Sequence, residues 1–278
     1  MLKTKTSPAA RPQTRLALAL AGRTAIVTGS TSGIGLGIAQ VLAAQGANLV
    51  LNGFGPADEI ERVRSDMARE HGVDILFSGA DVSRPDKVAE MIETATGEFG
   101  QVDILVNNAG IQHVAPLETF PPEKWDAILA INLSAAFHAA RAVFAGMKER
   151  RWGRIVNVAS AHGLIASPFK AAYVAAKHGI VGLTKVIALE GAEFGVTCNA
   201  VCPGYVWTPL VEKQIDDQAK AHSISREEVI RDVLLAQQPN KRFATVEEMG
   251  AVVAFLCGPA AQSITGAALP VDGGWTAH

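Results

Sequence analysis

The chain has 278 residues, 49% of them apolar and 19% charged, which excludes a mainly disordered polypeptide and leaves room for one large domain or two small ones. Lys plus Arg number 25 against 27 Asp plus Glu, so no basic excess exists to hold a phosphate backbone and no nucleic-acid partner is expected. Three cysteines, Cys198, Cys202 and Cys257, cannot build a disulfide framework and read as buried, reduced thiols of a cytoplasmic protein.

Residues 1–20 stand apart. They carry Lys3, Lys5, Arg11 and Arg15 and no acidic residue. They read as a flexible extension, with an organelle-targeting segment as the alternative. From residue 21 onward short β-branched runs alternate with longer helical stretches. Strands are predicted over Thr24–Val27, Asn48–Leu51, Asp74–Ser78, Ile104–Val106, Arg154–Val158, Val196–Val201 and Ala268–Val271. Helices are predicted over Ile34–Gln45, Ala57–His71, Pro85–Phe99, about Glu123–Arg150, Ala171–Phe194 and Val246–Leu256. The strands are nearly continuously apolar, as in Ala25-Ile26-Val27, and such strands are buried on both faces. A doubly wound, Rossmann-type parallel sheet between helical layers follows, as a single domain over 21–278. A polar, helix-prone stretch at about Tyr205–Lys241 interrupts the rhythm and reads as a helical lid over the carboxyl ends of the strands. No uninterrupted apolar run reaches the ~20 residues of a membrane span, so no membrane partner is expected.

The first strand runs into Thr28-Gly29-Ser30-Thr31-Ser32-Gly33-Ile34-Gly35. Glycines there let the backbone approach a pyrophosphate, and the following helix points its N-terminal N–H groups at the anion. The second strand ends in Asn52-Gly53-Phe54, with neither an acidic residue for the ribose hydroxyls nor a cation for a 2′-phosphate. Asp81-Val82 either meets the adenine or caps the next helix. Asn107-Asn108-Ala109-Gly110 either braces neighbouring strands beside the ribose or forms an ordinary turn.

Tyr173 and Lys177 lie four apart, on one face of a helix. An ammonium beside a phenol favours the phenolate and suits proton transfer with an alcohol. Ser160 ends the strand before that helix, where a hydroxyl can hold the reacting oxygen. Asn132, in the long helix, is placed to polarise a water behind Lys177. His162, Lys170, Gln112 and Gln214 add donors that suit a small carboxylate.

These residues, in this order and spacing, resemble the short-chain dehydrogenase/reductase family over about residues 20–278. The resemblance implies hydride transfer between a nicotinamide and a carbinol carbon. Tyr173 would be the acid/base, Lys177 would lower its pKa and hold the ribose, Ser160 would orient the oxygen and Asn132 would anchor the relay water. It also implies cofactor contacts from Gly29, Thr31, Ser32, Gly33, Ile34, Gly35, Phe54, Asp81, Val82, Asn108, Ala109, Gly110, Tyr173, Lys177, Pro203, Gly204, Val206 and Thr208. Within the family, Asn107–Pro116, Ala159–Leu164, Leu51–Gly55 and Thr208–Gln214 resemble the D-3-hydroxybutyrate dehydrogenase branch. That branch implies NAD as cofactor, the interconversion of (R)-3-hydroxybutyrate and acetoacetate, and substrate contacts from Gln112, Ser160, His162, Lys170, Tyr173 and Gln214. It further implies a homotetramer with about Val246–Val271 in an interface, and no metal. Tyr205 stands where bacterial members of that branch carry Trp. The nearest rival is an NADPH-dependent 3-oxoacyl thioester reductase, which would want a cation near the ribose.

Overall fold

The computed structural model describes residues 18–222 and 224–277. Among them lies one seven-stranded parallel sheet, ordered β3-β2-β1-β4-β5-β6-β7. The strands are β1 (Thr24–Val27), β2 (Asn48–Asn52), β3 (Ile75–Ser78), β4 (Ile104–Asn107), β5 (Gly153–Val158), β6 (Val196–Pro203) and β7 (Ala268–Val271). Every residue of β1, β4, β5 and β6 is buried, as expected of strands covered on both faces. The helices are α1 (Gly33–Ala44), α2 (Ala57–His71), α3 (Pro85–Phe99), α4 (Pro122–Leu129), α5 (Ala135–Glu149), α6 (Ala171–Gly191), α7 (Pro209–His222), α8 (Arg226–Glu228) and α9 (Val246–Cys257).

On one face of the sheet Ile38 and Leu42 of α1 meet Val253 and Leu256 of α9 over Val27 and Leu49. On the other, Val88 and Met91 of α3 and Val143 and Met147 of α5 cover Ile26, Leu105 and Ile155. Strand order reverses between β1 and β4, so a crevice opens at their carboxyl ends. Both the glycine turn and the Asn107–Gly110 segment leave the sheet there.

Three sequence expectations are revised. The helix expected over Glu123–Arg150 is broken by a π-turn at Ala130–Ser134 between α4 and α5. The Pro122–Glu149 and Ala171–Phe194 helices are long and apolar enough to cross a membrane, although scattered polar residues hide this from a search for unbroken runs. Their apolar residues do packing work: α6 turns Ala172, Ala176, Ile180 and Ala188 inward. Residues 1–17 of the expected extension lie outside the described residues, whereas Leu20 is buried in the core and its N–H donates to Gln45 O at 3.0 Å. The fold therefore takes up the chain slightly before residue 21.

The stretch 205–241, expected as a lid, has its own small core. Ile215 of α7 packs with Val229 and Leu234, flanked by Tyr205 and Phe243. Its two roots are pinned together: Ala244 N–H donates to Tyr205 O at 2.9 Å and Trp207 N–H to Ala244 O at 2.8 Å.

Candidate active site

The glycine turn forms one wall of a groove of about 470 Å³. Gly29 (φ +63°) and Gly33 (φ +56°) take left-handed backbone, and a Cβ on Gly35 would run into Gly29 O. The Asn108 amide donates to Thr28 O at 2.9 Å and Gly29 O at 3.0 Å, while Thr28 Oγ1 accepts from the N–H of Asn108 and of Ala109. Asn107 bridges to Asn157 across β4 and β5 at 2.8 Å. The two asparagines thus lock the strand ends that carry the groove. Gly29, Thr31, Ser32, Gly33, Ile34, Gly35, Phe54, Asp81, Val82, Asn108, Ala109, Gly110 and Thr208 all line it. A glycine-walled cleft at a helix N-terminus and switch point fits a dinucleotide. Asp81 is the one charged side chain among the described lining residues, and its Oδ1 accepts from Ser83 N–H at 2.9 Å in the loop before α3, whose N-cap is Arg84, so Asp81 braces that loop and does not cap the helix. Asn52 is buried and gives its amide to Ser78 O and Ala80 O, away from any ribose.

Tyr173 and Lys177 project from α6 beneath β5. The Lys177 ammonium donates to Val158 O at 2.8 Å and lies 5.6 Å from the centre of the Tyr173 ring. Burial pushes Lys177 down to about 8. Desolvation pushes the Tyr173 phenol above its usual value, the Ser160 hydroxyl opposes that shift, and Tyr205 adds to it. Asn132 sits in the π-turn, and its side chain both donates to Ile111 O (3.0 Å) and accepts from Ile111 N–H (2.9 Å). Its amide is therefore committed to bracing the loop that carries Gln112. Asn132 and Lys177 also line an enclosed cavity of about 10 Å³, with Thr28 and Asn107, which is room for one water.

A second cavity, of about 200 Å³, adjoins the groove at Ile34 and Thr208. Gln112, Ser160, His162, Lys170, Tyr173 and Gln214 all line it, brought together from four separate segments. Gly204 and Val206 line this cavity also, whereas Pro203 is buried at the end of β6 and lines neither. The loops are stitched to each other: Ala115 N–H donates to Phe169 O at 3.0 Å. Phe169 holds that position in left-handed backbone (φ +66°), immediately before Lys170. Burial lowers the Lys170 ammonium below its ordinary value. Both ring nitrogens of His162 face hydroxyls, Nδ1 towards Ser160 Oγ (3.5 Å) and Nε2 towards Ser167 Oγ (2.8 Å).

Sequence reasoning missed the apolar walls. Trp275 stacks on Tyr205 with centroids 5.8 Å apart, and with Leu210 and Val211 it lines the cavity. Trp275 is held by a turn in which Asp272 accepts from the N–H groups of Gly274 and Thr276. Its signal in the sequence was only an aromatic residue after two glycines.

Residues 29–276 match the family model described as Enoyl-(Acyl carrier protein) reductase. The chain is 56% identical over 256 residues to the D-beta-hydroxybutyrate dehydrogenase of Rhizobium meliloti (strain 1021), covering 92% of this chain and 99% of that one. It is 55% identical to the protein of the same name from Cupriavidus necator, over 93% of this chain and 100% of that one. The 3-oxoacyl-[acyl-carrier-protein] reductase FabG of Vibrio cholerae is 38% identical over 92% and 98% of the two chains. Among solved structures, a provisionally assigned short-chain alcohol dehydrogenase from Sinorhizobium meliloti 1021 superposes with a TM-score of 0.83 at 32% identity, over 94% of this chain and 99% of that one.

Proposed function

Since the chain belongs to the short-chain dehydrogenase/reductase family, and is thereby an oxidoreductase using a nicotinamide cofactor, we propose that it is an NAD-dependent dehydrogenase of (R)-3-hydroxybutyrate. The observation that carries this reading is the convergence of Gln112, Lys170 and Gln214 on the cavity that also holds Ser160 and Tyr173. With the hydroxyl held by Ser160 and Tyr173, a carboxylate two carbons away meets an ammonium and two amides.

When bound, the nicotinamide supplies the hydride acceptor. Tyr173 takes the hydroxyl proton, and the Lys177 charge beside it stabilises the phenolate that results. Lys177 would also hold the ribose, and the water-sized cavity that it lines with Asn132 would place a water behind it. Tyr205, Val211 and Trp275 give the cavity apolar walls, which strengthens the charged contacts beside them. NAD is favoured over NADP because the described residues lining the groove offer no cation for a 2′-phosphate, Asp81 being the one charged side chain among them.

We further propose a homotetramer, cytoplasmic, with α9 and β7 in an interface. In support, β7 is an edge of the sheet and Phe255 on α9 is 46% exposed. The three cysteines are buried and unpaired, as suits a reducing compartment.

A 3-oxoacyl thioester reductase is the competing reading, carried by the likeness to FabG proteins. A spectrophotometric panel of hydroxy acids, their methyl esters and 3-oxoacyl thioesters, each with NAD(H) and NADP(H), tests both. Fastest turnover of the free acid with NAD is expected. Equal rates for acid and ester, or a preference for NADPH with thioesters, overturns the proposal.

A further inference from the structure

The chain enters its fold at the end of α1 that lies away from the glycine turn. Leu20 N–H donates to Gln45 O, and Leu18, 49% exposed, lies over Gly46, where an added Cβ would come within 3.1 Å of it. Two residues before Gly46 stands Ala44, which opens a groove of about 510 Å³ between α1, α2 and the first turn of α9. The groove has an apolar floor that includes Val41 of α1 and the buried Met67 of α2. Its rim carries three exposed carboxylates, Asp66 and Glu70 of α2 and Glu247 of α9, and among the described residues no lysine or arginine lines it. Asp66 pairs with Arg69 on its own helix; among the described ion pairs neither Glu70 nor Glu247 has a cation.

The residues delivered to this groove are those ahead of Leu18. Residues 1–17 carry Lys3, Lys5, Arg11 and Arg15 and no acidic residue. Arg15 is three residues from Leu18 and Arg11 seven, so at ~3.3 Å per residue an extended chain carries them up to roughly 10 and 23 Å from that anchor. From Ala44 to Leu36 the groove follows eight residues of α1, about 12 Å, within reach of both. Leu16 and Ala17 suit the apolar floor. The shared activity leaves the segment unexplained. A match over 260 residues takes in the whole of the Cupriavidus necator dehydrogenase, so 18 of these 278 lie outside it, and the family match runs on to residue 276.

We propose that the basic segment Arg11–Ala17 docks into the α1–α2 groove of its own chain, with Arg11 and Arg15 against the carboxylates of Asp66, Glu70 and Glu247 and Leu16 over Val41 and Met67. Three like charges on one rim repel each other, and the cations of the segment offset that repulsion. Exposed ion pairs are weak singly, but the segment is tethered beside its groove, and a short tether holds it there at an effective concentration in the millimolar range. The proposal stands apart from the dehydrogenase reading, because no residue of this groove lines the cofactor groove or the substrate cavity.

The test is trypsin cleavage of the full chain after Arg15, followed by intact mass at low ionic strength. Cleavage needs an open segment, so docking slows it. Glu70→Gln/Glu247→Gln, two changes at exposed positions, is expected to speed cleavage after Arg15 roughly fivefold, the scale of two exposed ion pairs, and to leave turnover unchanged. Cleavage after Lys5, ahead of the docked segment, should proceed at one rate in parent and variant. Sodium chloride at about 0.5 M should erase the difference at Arg15 by screening. Equal rates after Arg15 in parent and variant at low salt overturn the proposal. So does protection that grows with protein concentration, which would put the segment of a second copy in the groove. Protection that appears only with vesicles of anionic phospholipid overturns it too, and would make the segment a membrane-surface signal.

Discussion

The ammonium of Lys177 and the carbonyl oxygen of Val158 are 2.8 Å apart, so the cation that serves Tyr173 is tied to the end of β5 as well as to its own helix. Lys177→Met cuts that tie and removes the charge at once. Turnover should fall by about 10²–10⁴-fold, the range for loss of acid–base function. NAD affinity should weaken as well, because the family resemblance assigns the same ammonium to the ribose. Steady-state kinetics together with cofactor titration by fluorescence separate the two losses, and an unchanged cofactor affinity would remove the ribose contact.

Tyr173→Phe should abolish oxidation and leave NAD binding nearly intact, since only the proton acceptor is lost. The phenol is held above its ordinary value, so its protonated form prevails until alkaline pH. In the parent enzyme oxidation should therefore accelerate as pH rises and reduction should slow. The pH–rate limb belongs to the Tyr173–Lys177 pair rather than to either group. More than a tenth of the parent rate in Tyr173→Phe would place the base elsewhere.

Lys170 is held below the ordinary lysine value by burial. Its ammonium is lost as pH rises through that lowered value. KM for the hydroxy acid should therefore climb on the alkaline side earlier than for an ordinary lysine. Lys170→Ala should raise KM roughly ten- to a hundredfold and flatten this limb, from the loss of a charge-assisted bond of about 1.5–3 kcal/mol. The methyl ester should be insensitive to the substitution.

Phe54 is 69% exposed at the ribose end of the groove, so a cation can replace it with little cost to folding. Phe54→Arg should raise kcat/KM for NADP about tenfold, by pairing the 2′-phosphate, for which the described lining residues offer no cation. The ratio of specificity constants for the two cofactors is the readout.

His162 is kept neutral, with its folded value near 4 against an ordinary 6.5. The unfolded chain then binds the extra proton first as pH falls. Stability is complete above about pH 6.5 and should drop by roughly 3 kcal/mol as pH approaches 4. Denaturant titrations of the parent and of His162→Phe should diverge over this window, with the variant lacking that share of the acid loss.

The glycine turn, the paired asparagines and the Tyr173/Lys177 pair were legible because each is a local pattern with one backbone consequence. The substrate cavity was legible only through its polar half. Tyr205, Leu210 and Trp275 belong to segments whose meeting depends on how the lid and the last turn fold over the sheet, and no spacing encodes that. The π-turn at Ala130–Ser134 was invisible for another reason. An extra residue inside a helix leaves the apolar pattern of Ala127–Ala136 almost unchanged, while the bonds from Asn132 to Ile111 that accompany it span distant parts of the chain.

The backbone at Phe169 has a consequence for how such a protein can change. A bulky side chain in left-handed backbone forgoes stability of about 1–2 kcal/mol that glycine would recover. Substitutions there are thus an easy route to heat tolerance. The same bend carries the bond to Ala115 just before Lys170. Glycine holds that dihedral without strain, so the chain can gain robustness at this position and keep the loop that presents the ammonium.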